Sequence, residues 1–315
     1  MQDRSFWLTT MDATRMYVHH WLPDDTQPHA SLIICHGMAE HGGRYRELAT
    51  ALTAVGISVY AADLRGHGQT ASEGVLGHFG DHDGWSLVIE DLRTLNHHVR
   101  CATPHAPLFI LGHGLGSYLI MGYLMQYSCS VQGVMLSGAQ HMRRTWKYRL
   151  ARALARLESV RQGPRGRSRL LHWLLFRRVR SSIQPRATHV DWLSSDAGQV
   201  QSYLADPLCG FLGTNQLWLD IFNGLQRITP VRSLHQINHQ LPLLVFGGEQ
   251  DPVHQGERLL DLAEALRQSG KRNVDVKLYP DMRHEPLKER QRQRVFRDLI
   301  EWMGQHCSSP DQPTD

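Results

Sequence analysis

Short apolar runs alternate with longer amphipathic stretches along most of this chain. The runs at 31–35, 58–61, 108–112, 133–137, 242–247 and 274–278 have the length and content of buried strands. Between and after them, 45–55, 84–99, 116–127, 256–268 and 289–305 carry apolar residues at helical spacing. Such alternation predicts an α/β fold, a mostly parallel central sheet flanked by helices on both faces. The stretch 141–239 breaks the rhythm and looks mainly helical. It is expected to be a cap inserted into one α/β core made of 1–140 and 240–307, lying over the C-terminal strand ends where such sheets bind ligands. The polar tail 308–315 is expected to be disordered.

Composition supports a packed domain: of 315 residues 41% are hydrophobic and 20% charged, which excludes disorder as the main theme. No apolar run approaches the roughly 18 residues of a membrane span, and the start, Met1-Gln-Asp-Arg-Ser, is charged, so a cytoplasmic location is expected. The five cysteines, Cys35, Cys101, Cys129, Cys209 and Cys307, are odd in number and scattered, as reduced thiols would be. His19-His20 and Asn96-His97-His98 suggest metal ligands at first sight, but adjacent histidines on one element point apart, and no metal is expected.

Charge changes the picture more. Fourteen of the 34 Lys and Arg residues but one of the 30 Asp and Glu lie between Arg143 and Arg186, so that segment carries +13 and the rest of the chain −9. One reading is a solvated helical face, with Trp146, Leu150, Leu154 and Leu157 at helical spacing. The other is attraction to phosphate-bearing partners, an anionic membrane surface foremost. Nothing in the segment resembles a nucleic-acid module, and no nucleic-acid partner is expected.

Chemistry concentrates at Gly112-His-Gly-Leu-Gly116-Ser117, which follows a predicted strand and opens a predicted helix. That is the setting of a G-x-S-x-G nucleophile elbow, whose sharp turn lifts the central side chain above the sheet. Asp251 follows the next-to-last predicted strand and His284 the last, the order in which a carboxylate and an imidazole face such an elbow. The glycine-rich turn His36-Gly-Met-Ala-Glu-His-Gly-Gly-Arg-Tyr45 follows a buried strand, and its backbone N–H groups, with that of Leu115, suit an oxyanion hole.

Together with Asp63-Leu-Arg-Gly-His-Gly68, Asp251-Pro-Val253, Arg283-His284-Glu285 and the cap segments 191–196 and 206–211, these motifs resemble the monoacylglycerol lipase and lysophospholipase (serine aminopeptidase-like) branch of the α/β-hydrolases, from about 6 to 305. The resemblance implies the α/β-hydrolase fold, Asp251 and His284 as triad members, Met38 and Leu115 as oxyanion donors, and substrate contacts from Tyr45 and His113. It also implies an acyl-ester lipid as substrate and no cofactor.

The departure falls on the nucleophile, because the position that is serine in that family is Gly114. Ser117 lies three residues into the helix and faces elsewhere. Glycine suits the positive φ of an elbow, so the fold should survive while esterase activity is nearly lost. An inactivating substitution, natural loss with ligand binding retained, and a different mechanism all accommodate Gly114. The expected function is therefore a carboxylic ester hydrolase disabled at its nucleophile, with a non-catalytic sensor of an acyl compound as the alternative. The cap helices are expected to be the most mobile part.

Overall fold

The computed structural model of the protein describes residues 1–24, 27–141, 145–253 and 256–307. The tail 308–315 and two bases of the arginine-rich segment, Arg143 and Arg144, lie outside the described residues.

Three strands open the chain that the apolar-run reading passes over: β1 (Gln2–Asp3), β2 (Phe6–Thr9) and β3 (Arg15–Leu22). In β3 Met16, Val18 and Trp21 are buried while Tyr17, His19 and His20 are only partly so, the pattern of a strand covered on one face. All six expected strands follow: β4 (Ala30–Cys35), β5 (Ile57–Ala62), β6 (Leu108–His113), β7 (Gly133–Ser137), β8 (Leu243–Gly248) and β9 (Val274–Tyr279). The central ones are buried throughout, as expected of strands covered on both faces.

The sheet runs β1-β3-β5-β4-β6-β7-β8-β9, with β2 also on β3; every pair from β5 to β9 is parallel and the N-terminal strands pair antiparallel. Chain order reverses at β4, which lies between β5 and β6, and a crevice forms at such a switch point. Cys35 pairs with Gly112, so the loops leaving β4 and β6 rise side by side.

Helices α1 (Arg46–Thr53), α2 (Gly84–Ala102), α3 (Leu115–Tyr127), α9 (Glu257–Gln268) and α10 (Arg292–Gln305) cover the sheet, within a residue or a few of the predicted bounds. Between β7 and β8 lie α4 (Thr145–Gln162), α5 (Arg169–Arg180), α6 (Ala197–Ala205), α7 (Asn215–Ile228) and the one-turn α8 (Val231–Leu234). Side chains of Ser168, Asp196 and Thr214 cap the starts of α5, α6 and α7. Of the apolar positions expected along α4, Leu154 packs on the core, whereas Trp146, Leu150 and Leu157 are exposed. The helical spacing there describes an outward stripe. No helix among the described residues is long and apolar enough to cross a membrane.

Candidate active site

The elbow forms where β6 turns into α3. Its flanking glycines are forced by contact: a Cβ on Gly116 would lie 2.0 Å from the Cys35 carbonyl oxygen, and one on Gly112 2.6 Å from the Ser117 Cα. Gly114 differs. Its φ of 51° and ψ of −114° are strained for any other residue, yet a Cβ there meets nothing nearer than His284 Nε2 at 3.5 Å and Gly37 Cα at 4.0 Å. The space above Gly114 is thus open and faces an imidazole. Ser117 is fully buried, and its hydroxyl lies 2.8 Å from both the Gly112 and Ser137 carbonyls, so it ties the elbow to β7 and is turned from the cavity.

His284 Nδ1–H donates to Asp251 Oδ2 at 2.7 Å, leaving Nε2 toward Gly114. Burial opposes charging of this ring, but the Asp251 carboxylate outweighs it and holds His284 above the usual imidazole range. The two loops are aligned by Gln250 N–H donating to the Met282 carbonyl at 3.0 Å. From the helical insertion, the Leu193 carbonyl accepts from Glu285 N–H at 2.8 Å, and the Asp191 and Ser194 carbonyls accept from Arg283. His113 is buried with Nδ1 3.2 Å from Ser137 Oγ and its ring 4.9 Å from that of His284. Burial first, then His284, pushes its pKa down to about 4, so it is neutral at pH 7.

An ion-pair network that the sequence reading did not find lies beside these groups. Arg44 donates to Glu40 Oε2 at 2.6 Å and, bidentate, to Glu285 at 2.8 and 2.7 Å, with its guanidinium over the Tyr203 ring. Burial would raise both carboxyls, yet Arg44 holds each below the usual range. Glu40 also accepts from Gly37 N–H at 2.6 Å, which fixes the loop carrying Met38. Tyr45 was expected to contact substrate; instead the turn Gly42–Tyr45 directs it inward, where its hydroxyl donates to Glu40 at 3.0 Å away from the cavity lining. Asp63 is likewise structural, accepting from Gly42 N–H and Gln69 N–H at 2.7 Å each. His19 stacks on Trp21 and His20 on Tyr60, so the adjacent histidines do point apart.

A cavity of about 290 Å³ brings together Met38, His113, Gly114, Leu115 and His284, five of the seven expected site residues, under an apolar wall that includes Phe176, Trp192 and Trp218. Asp251 stands behind His284, and Tyr45 is the one that lies apart. Ala39, beside Met38, has φ 56°, and its carbonyl accepts from Tyr203 OH at 3.1 Å and Gly210 N–H at 2.9 Å, both in the insertion.

A parallel sheet of this order, with an elbow after β6 and loops after β8 and β9 turned toward it, defines the class as the α/β-hydrolases. Solved structures agree: a thermostable carboxyl esterase from Bacillus coagulans, in complex with glycerol, superposes with TM-score 0.88 at 25% identity over 98% of this chain and 100% of that one. The chain belongs to the serine aminopeptidase S33 family, whose model matches residues 26–291. It is 28% identical to the monoacylglycerol lipase of Mycolicibacterium smegmatis over 91% of each chain, and 25% identical to human monoglyceride lipase over 96% of this chain and 91% of that protein.

Proposed function

We propose that this chain is a monoacylglycerol lipase-like carboxylic ester hydrolase scaffold in which Gly114 occupies the nucleophile position, so that it binds an acyl ester but scarcely hydrolyses it. The observation that carries this reading is the open space over Gly114, 3.5 Å from His284 Nε2. A serine hydroxyl there would extend one bond further from that Cβ, into hydrogen-bond reach of an imidazole whose other nitrogen is fixed by Asp251. Without it His284 has no hydroxyl to deprotonate, and the amides of Met38 and Leu115, as oxyanion donors, have no alkoxide attack to follow. The cap is the insertion 141–239, and it closes the acyl pocket.

The lipid partner is read from charge and exposure. Seven of the eleven large apolar side chains exposed among the described residues lie on α4 and α5, Trp146, Leu150 and Trp173 among them, and they are interleaved with arginines. An arginine-rich face with exposed tryptophan suits peripheral contact with an anionic membrane.

Gly114→Ser tests the reading, with fluorophosphonate labelling and turnover of a short nitrophenyl ester compared between the two chains. Labelling and turnover confined to the serine variant support a disabled hydrolase. An inert serine variant moves the reading to its alternative, a non-catalytic sensor of an acyl compound, and equal activity in both chains refutes the role assigned to position 114.

A further inference from the structure

The cavity that reaches Gly114 has a second polar end. His172, Leu175, Phe176 and Arg180 all line it, a spacing that puts them along one face of α5. Arg177 and Arg178 of the same helix are exposed, Arg177 lying over the exposed Trp173, so Arg180 is the arginine that α5 turns inward. Its Nη2–H donates to His172 Nε2 at 2.6 Å. His172 must then be neutral with its proton on Nδ1, and that nitrogen is buried without a hydrogen-bond partner among the described residues. Burial first, then Arg180 and His189, pushes the His172 pKa down to about 4, in keeping with the neutral ring. Among the described residues no carboxylate lies within ion-pair reach of Arg180.

The other end of the cavity is the reverse. Glu40 and Glu285 line it beside His284, and both are already matched by Arg44. Aromatic rings connect the two ends: His284 to Trp192 at 5.1 Å, Trp192 to Phe176 at 6.2 Å and Phe176 to His172 at 4.7 Å between centroids. A half-buried guanidinium matched only by a neutral imidazole favours an anion from the ligand, and an apolar corridor favours an alkyl chain.

We propose that Arg180, with His172 and His189 beside it, is an anion subsite, and that the acyl compound held here carries a second group, carboxylate or phosphate, separated by an alkyl chain from the ester carbonyl at Gly114. This deepens the hydrolase reading and rests on it for the position of the ester, though not for binding of the anion.

The test uses matched pairs in the Gly114→Ser background: nitrophenyl octanoate against the nitrophenyl half-ester of suberic acid, and octanoylglycerol against the glycerol ester of 8-phosphooxyoctanoic acid, each anion standing at the far end of the acyl chain. At least one anionic member is expected to exceed its neutral twin about tenfold in kcat/KM, the first pair implicating a carboxylate and the second a phosphate. Arg180→Gln brings the ratio of anionic to neutral kcat/KM within each pair to about one, and Arg180→Lys keeps most of the preference. No anionic preference in either pair, or an Arg180→Gln loss shared equally by both members, overturns the subsite. Calorimetric titration of the Gly114 chain with suberate and octanoate separates the two readings. Suberate binding that Arg180→Gln removes, alongside an inert serine variant, sustains the subsite and sinks the hydrolase reading; turnover of nitrophenyl octanoate by the serine variant without any Arg180-dependent preference does the opposite.

Discussion

Gly114 sits at the one backbone position of the elbow where strain and space can be separated. Replacing it with alanine adds a Cβ whose nearest neighbours are 3.5 and 4.0 Å away, ordinary contact distances, so no steric cost is incurred. What remains is the backbone term for a non-glycine residue at φ 51°, ψ −114°, about 1–3 kcal/mol. For a chain of this length that corresponds to a fall of roughly 1.5–4.5 °C in Tm. Gly114→Ser incurs the same backbone cost and differs only by the hydroxyl, so the two variants should melt together, below the glycine chain. They should diverge in ester hydrolysis, where a completed triad is worth on the order of 10⁶ in kcat. Thermal melts by circular dichroism and nitrophenyl ester turnover on the three chains give both quantities. Variants that melt at or above the glycine chain would refute the strain argument. A serine variant no faster than the alanine one would refute the geometry assigned to His284.

Further expectations follow from the groups around that position. In the Gly114→Ser background turnover requires neutral His284, so the rate climbs with pH through a value above about 6.5. Asp251→Asn shifts that limb to lower pH and lowers kcat by about 10⁴, which a pH–rate profile reads; an unmoved limb contradicts the pairing. The same pair stabilises the fold fully below about pH 6.5, the unfolded pKa, and its contribution fades as pH rises through the raised folded value. Arg44→Met leaves Glu40 and Glu285 buried without a cation and should cost about 3–5 kcal/mol in urea unfolding, with a loss under 1 kcal/mol refuting the network. Co-sedimentation with vesicles should require anionic lipid, weaken as salt rises, and fall with glutamine at Arg149, Arg156 and Arg178, about 1 kcal/mol each. Equal binding to zwitterionic vesicles at high salt excludes the charged contact.

Elements whose signal is local were legible in the sequence. Five of the six expected strands announce themselves as apolar runs because both faces are covered, β9 at the sheet edge being only partly so, and Gly114, Asp251 and His284 lie where loops follow those strands. β1 to β3 carry a weaker signal, since β3 mixes Arg15, His19 and His20 with its buried residues at one covered face. The Arg44 network was not legible because Arg44 and Glu285 stand 241 positions apart and meet only through the sheet. Tyr45 and Arg180 show the other limit: motif membership and charge density name the residues, but whether a side chain faces the cavity is decided by a turn or by a helix's rotation. Trp146 and Leu150 make the same point, their spacing fixing a stripe but not its outward direction.

The Ala39 carbonyl gives the insertion a mechanical hold on the loop that carries Met38. Tyr203 and Gly210 both donate to it, and Ala39 keeps a left-handed backbone next to Met38 under that grip. In the proposed reading, a displacement of α6 on lipid entry would have to break the Tyr203 bond, while Gly210, beyond the end of α6, still holds the same carbonyl. On that same reading, the wall of the acyl pocket and the loop that offers the Met38 amide are thus tied at one carbonyl, so that what displaces the one is felt by the other.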